Sequence, residues 1–290
     1  MINNINSKKI SRGLYLFWIY TLVVIAWGAW VRISHSGNGC GEHWPLCNGD
    51  VIPNFSDQKT LVEFSHRIMS GLYGLLVLGI FVASRKKTVL TQQKKIGAYL
   101  LVFMIIEALL GALLVKQSLV TVNDSVFRLV VMSLHQLNSF LLTGVTYLLF
   151  LSTQQVLNIR ITKLNVGFLI LAVSGAVASL AATLFPSTSI WEGILKDFSS
   201  DSHLFVRLRV IHPLLAVSLI SGVIYWLQTR AKNSVETSRL AMSLFVAMLV
   251  GIITLMTLSP LWLKITHLML AHFVWAAILK YQLFGQHKPM

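Results

Sequence analysis

Charge is what this 290-residue sequence has least of. Asp, Glu, Lys and Arg make up 12% of it, half the roughly 25% of a typical soluble domain, while 55% of residues are hydrophobic and mean hydropathy is +0.71. That balance excludes a soluble globule. Acids are scarcer still, 10 against 24 Lys and Arg, for a formal charge of +14. On a soluble chain such an excess would point to nucleic acid. Lys and Arg also accumulate in the cytoplasmic loops of polytopic membrane proteins, so the charge asks for a topology before a partner. Only two cysteines occur. With His43 they offer three zinc ligands and no obvious fourth. The first apolar run has no Ala-x-Ala-like cleavage site and nothing resembles a transit peptide, so it reads as a retained helix.

A spanning helix needs about 20 mostly apolar residues. Eight such stretches fall at 14–34, 61–84, 96–115, 126–151, 164–185, 204–227, 239–258 and 261–283. Ser259-Pro260 divides the last two, since proline cannot continue the helix behind it. With the N-terminus inside, the inner segments hold 15 basic residues (Lys8, Lys9, Arg12, Arg85, Lys86, Lys87, Lys94, Lys95, Arg160, Lys163, Arg230, Lys232, Arg239, Lys280 and Lys288) against Glu236 alone. The outer side holds nine basic residues and eight acids, and Glu107 lies within span three. Positive-inside bias therefore places both termini on the cytoplasmic side, and the even-numbered spans run inward. The basic excess is topology beside anionic lipid, with no nucleic acid partner. Cys40 and Cys47 then lie in the first outer loop, GNGCGEHWPLCNGD, where an oxidising face favours a disulfide, either a loop staple or a redox-active pair.

Four of nine histidines sit at corresponding places: His66 in span two, His135 in span four, His212 in span six and His267 in span eight. Each is six to ten residues from the outer start of its span, which puts all four near one depth at 1.5 Å per residue. Ionisable groups cost roughly 2.5–3.5 kcal/mol at a span centre. Paired imidazoles ligating an iron porphyrin would offset that cost. Aligning His66 with His212 and His135 with His267 lays spans one to four over five to eight. Gly28-Ala29 then falls near Gly175-Ala176, and Gly111 opposite Gly251. The expected fold is an all-α integral membrane protein of two tandem, pseudo-symmetric four-helix bundles, 1–155 and 156–290, each with one histidine pair inside.

The halves differ beside the histidines. Glu63 precedes His66 by three residues and so shares its helix face. The second half has Arg209 at that position and Pro213 where the first has Arg67. A carboxylate beside iron can move protons or stabilise a cation; an arginine suits a haem propionate. Glu63 can equally pair with Arg67. Glu107 serves either as a proton relay or as a carboxyl hydrogen-bonded to a neighbouring helix. His272, about 140° round from His267, is read as a packing residue or a partner of an iron ligand. His35, His43, His203 and His287 are expected to be solvated.

These residues resemble the haem A synthase family. The likeness rests on Glu63-x-x-His66-Arg67, His135, His212, and His267 with Leu268, Leu270, Ala271 and Trp275. Ser36-Gly37 followed by a cysteine pair around Trp44-Pro45 adds to it. Pro213 and His272 depart from the pattern, where many members have an arginine and an acid. The resemblance implies a membrane oxidoreductase that oxidises the C8 methyl of haem O to a formyl group during cytochrome oxidase assembly. It implies haem b on His212 and His267 as cofactor, haem O near His66 and His135 as substrate, and Glu63 as the essential carboxylate. Arg67, Arg209, Glu107 and His272 would then stand around the porphyrins. Haem O synthase, the oxidase assembly machinery and an unidentified electron donor are the implied partners. A non-enzymatic di-haem cytochrome also explains the four histidines, and a transporter with histidine proton carriers remains a third reading.

Overall fold

A computed structural model describes residues 2–229 and 234–285. Arg230, Lys232, His287 and Lys288 lie outside the described residues. The helices are α1 (Ile2–Ile33), α2 (Gln58–Ser84), α3 (Thr91–Lys116), α4 (Val126–Leu151), α5 (Lys163–Leu184), α6 (Ile190–Phe198), α7 (Leu204–Arg209), α8 (Ile211–Thr229), α9 (Val235–Met256) and α10 (Leu261–Lys280), the last running into a π turn at Tyr281–Gly285. Among the described residues eight segments are long and apolar enough to cross a membrane, with α7 and α8 together forming the sixth. The chain is a multi-pass, all-α membrane protein. Span four falls where expected, at Val126–Leu151; others shift by up to six residues at one end, as the first does by starting at Lys8.

The helix ends follow from local chemistry. Asp57 and Ser125 cap α2 and α4, accepting from Lys59 N at 3.0 Å and Arg128 N at 3.2 Å, and Ser234 caps α9 through Thr237 N at 3.1 Å. Each such cap is worth about 1 kcal/mol. The α7–α8 break at Val210 has its cause in Pro213, which has no N–H to donate to the Arg209 carbonyl. Between α9 and α10, Leu258 (φ 59°) and Ser259 (φ 57°) turn the chain left-handed ahead of Pro260.

The chain divides into two compact units, residues 1–158 and 159–290. In unit one α1 packs on α2, α2 on α3, α3 on α4 and α4 back on α1, closing a four-helix bundle. Helix α4 is its centre. Phe140, Leu142, Thr143, Thr146 and Leu149 are all buried on it, and Trp18 and Tyr147 meet at a centroid distance of 4.9 Å. Unit two closes the same way through α5, α8, α9 and α10, with Phe168 stacked on Trp275 at 5.3 Å. Leu72, Leu75, Leu109, Leu214 and Trp262 stay exposed on the outer faces, a surface that lipid can cover and water cannot.

Candidate haem sites

Both bundles carry their histidines in the half away from the densest packing. His66 is the ninth residue of α2 and His135 the tenth of α4. In contrast to the fully buried Val77 and Phe140 further along these helices, both imidazoles are only half-buried. His212 and His267 are half-buried likewise.

The rings seat on glycines. A Cβ at Gly28 would lie 2.9 Å from His66 Cε1, one at Gly175 3.0 Å from His212 Cε1, and one at Gly251 2.8 Å from His267 Cε1. No side chain fits there without moving an imidazole. Gly111, aligned with Gly251 from sequence, has nothing within 4 Å; in its helix the residue that faces the histidine is Glu107, one turn away. Of these two aligned glycines only Gly251 therefore seats an imidazole. The Gly28 and Gly175 correspondence stands, with each glycine beneath the first imidazole of its unit.

In unit two the His212 and His267 ring centroids are 6.2 Å apart. A metal–imidazole bond of about 2.0–2.1 Å, plus roughly 1.1 Å from nitrogen to ring centre on each side, separates two ring centres by about 6.2–6.4 Å. The pair thus fits one iron between them. Ser174 Oγ is 3.0 Å from His212 Nδ1 and also donates to Leu171 O at 2.7 Å. A hydroxyl has one proton; with that proton on Leu171, Ser174 accepts from Nδ1–H. That leaves the Nε2 lone pair of His212 free for a metal. Sequence reasoning missed Ser174, whose only signal is its place next to Gly175. His272 is fully buried, while the half-buried His267 faces His212.

In unit one His66 and His135 lie within electrostatic reach of each other. The Nδ1 atoms of both are buried without a hydrogen-bond partner, and Glu107 Oε1 is 3.4 Å from that of His135. Asn138, also missed from sequence, donates to Glu107 Oε2 at 2.6 Å and to Phe103 O at 2.9 Å. Its signal was a buried amide one turn beyond a histidine inside a span. Arg32 at the end of α1 acts electrostatically on His135.

Glu63 is buried, 3% exposed, and both its oxygens are engaged. Oε1 accepts from Arg67 Nη2 at 2.5 Å and Oε2 from Cys40 N at 2.9 Å. Arg67 also donates to the carbonyls of His43, at 2.5 Å, and Leu46. Cys40 and Cys47 form a disulfide, so neither is available to zinc. Thr60 Oγ1 donates to Gly39 O at 2.7 Å, and a Cβ at Gly39 would strike the Lys59 backbone at 2.4 Å. The start of α2 and the disulfide loop are thus one locked structure.

Arg209 does in unit two what Arg67 does in unit one. Its Nε is 2.5 Å from Asp197 Oδ1, and its other nitrogens donate to Phe185 O, Ser187 Oγ and Gly193 O at 3.2–3.3 Å. Sequence alignment set Arg209 opposite Glu63; by contacts it is the counterpart of Arg67, holding α6 and its flanking loop onto α7. His203, expected in solvent, accepts from Phe205 N at 3.3 Å as the cap of α7 and stacks on Phe185 at 4.6 Å. His43 is exposed and His35 half-buried.

The model of a family described as cytochrome oxidase assembly protein (COX15-CtaA) matches residues 11–279. A protoheme IX farnesyltransferase of Thermus thermophilus is 36% identical over 274 residues, 89% of this chain and 45% of that protein. The chain therefore spans about half the length of that relative. A heme A synthase of Symbiobacterium thermophilum is 40% identical over 92 residues, 31% of this chain and 30% of that one. Another, from Halalkalibacterium halodurans, is 41% identical over 108 residues, 36% of each.

Proposed function

The chain belongs to the cytochrome oxidase assembly protein family, and from that premise we propose that it is a haem A synthase. It is then a membrane oxidoreductase converting the C8 methyl of haem O to a formyl group by two successive hydroxylations, the resulting gem-diol losing water. The observation that carries the reading is the imidazole pair of unit two, 6.2 Å apart and seated on two glycines. Beside it stands a differently furnished pair in unit one.

In this reading His212 and His267 hold haem b, and the substrate haem O docks between His66 and His135. Bound haem supplies the redox chemistry that inserts oxygen into a C–H bond. The chain's own contribution is placement and charge. Ser174 fixes the tautomer of His212. Glu63, one turn before His66 on the same face, is held by Arg67 and Cys40 N–H as a hydrogen-bonded carboxylate. There it is suited to stabilise positive charge on the substrate or to receive a proton. Arg67 keeps that carboxylate and the disulfide loop in register. Arg209, with four partners of its own, is a scaffold residue beside the haem b site.

The assigned location is the bacterial cytoplasmic membrane, with both termini inside and the disulfide loop outside. The inner-side positive charge supports this orientation. A relative named for farnesyl transfer to protoheme IX contains a stretch like this chain, which supports haem O synthase as the supplier of substrate. The electron donor is a separate partner.

The test is co-expression with a source of haem O, followed by extraction of haems. Haem A or its hydroxylated precursor is expected, and Glu63→Ala should abolish both while leaving the unit-two haem bound. A chain that holds both haems and yields neither product is an electron-transfer cytochrome instead.

A further inference from the structure

The two sites differ in what stands behind their iron-facing rings. In unit two the neighbours are neutral: the Ser174 hydroxyl stands at His212 Nδ1, and His267 Nδ1 is buried without a hydrogen-bond partner. Ala247 is one turn before the glycine that seats His267, and at the matching place in α3, one turn before Gly111, stands Glu107. Its Oε1 is 3.4 Å from the buried Nδ1 of His135, and Asn138 of α4 holds its Oε2 at 2.6 Å. Asn138 also donates to Phe103 O, so its amide is fixed with nitrogen toward Glu107. Both carboxyl oxygens of Glu107 thus face donors, one of them already bonded.

A carboxylic side chain midway along a span costs roughly 2.5–3.5 kcal/mol, and one hydrogen bond to a charged group returns about 1.5–3 kcal/mol. Asn138 alone does not clearly offset the cost, whereas a second bond, to the Nδ1–H of His135, does. A carboxylate behind a metal-bound imidazole fixes its tautomer and raises its basicity as a ligand.

We propose that Glu107 is the positioning residue of the unit-one site, accepting from His135 Nδ1–H and making His135 the strongest electron donor of the four histidines. The inference rests on the haem reading above. It assigns a division of labour: the unit-one iron is the electron-rich one and has the lower reduction potential, as suits oxygen chemistry, while the neutral partners in unit two leave a higher-potential haem suited to passing electrons.

The test uses the full chain purified with its haems. Optical redox titration and electron paramagnetic resonance are run on wild type, Glu107→Gln and Asn138→Ala, with His212→Ala used to assign each signal to its unit. Glu107→Gln should raise the unit-one midpoint, change the g-values of its ferric signal and leave the unit-two haem unmoved. Haem retention in unit one should fall on the order of 10- to 100-fold. Asn138→Ala keeps the carboxylate and frees it from a competing donor, so the same midpoint should fall. Opposite shifts are the signature; a residue that only packs would move neither midpoint or move both the same way, and either result overturns the assignment. Loss of the unit-one haem in Glu107→Gln with an unmoved midpoint in Asn138→Ala also overturns it. A wild-type chain co-expressed with a source of haem O that still holds no unit-one haem overturns the haem reading itself.

Discussion

Single atoms decide whether the imidazoles can sit where they do. Ala for Gly in a helix ordinarily gains up to about 1 kcal/mol, and Gly111→Ala, with open space around it, should show that gain. Gly175→Ala places a methyl 3.0 Å from His212 Cε1, where overpacking costs roughly 1–3 kcal/mol. It should therefore lose the unit-two haem spectrum despite better helix propensity, as a paired comparison of thermal unfolding and haem absorbance will show. A second residue-scale prediction concerns pH. Glu192, on α6, has its carboxyl pulled down to about 2, first by Lys196 at 2.6 Å and then by the Thr188 side chain and backbone. Its contribution to α6 is complete above the ordinary carboxylate value of 4.5, shrinks as pH falls from there and is gone below about 2. Amide protection in the first turn of α6, taken relative to the intrinsic exchange rate at each pH, should follow that course in wild type and lose that pH dependence in Glu192→Gln. The histidines and Glu63 were legible from sequence because ionisable groups in apolar spans stand out. Ser174 and Asn138 were not, since small polar residues occur throughout such helices and only packing shows which face an imidazole.

Among the elements, α6 and the disulfide loop play one role in two chemistries. Each is a non-spanning segment clamped by an arginine: Arg67 on the carbonyls of His43 and Leu46, and Arg209 on Asp197, Phe185, Ser187 and Gly193. The Arg209–Asp197 pair is mostly buried, with side chains 13% and 15% exposed. Asp197→Ala should weaken docking of α6 by about 1.5–3 kcal/mol, read as faster proteolysis within 186–203 with the spans intact. The spans themselves were legible because length and hydropathy suffice for them. Helix α6 was not, because nine residues carry too weak a pattern to separate from loop, and its position depends on Arg209, which sequence alignment had paired with Glu63 rather than Arg67. The α7–α8 break was implicit in Pro213, whose missing donor interrupts the ladder one turn earlier.

At the scale of the whole molecule, each half of the sequence closes its own four-helix bundle and carries two of the four span histidines. The inner-side excess of positive charge supports the proposed orientation. The likeness between halves lies in the glycine-seated histidines; the difference lies in Glu63 and Glu107 on one side and Ser174 and Arg209 on the other. The central claim is therefore two separate haem sites with separate ligands. The most direct measurement is the haem content and absorption spectrum of the purified full chain, compared with His267→Ala and His135→Ala. Two haems are expected in wild type, with loss of the unit-two spectrum alone in His267→Ala and of the unit-one spectrum alone in His135→Ala. A wild-type chain without a haem chromophore, or variants that each remove both signals while the fold persists, would contradict it.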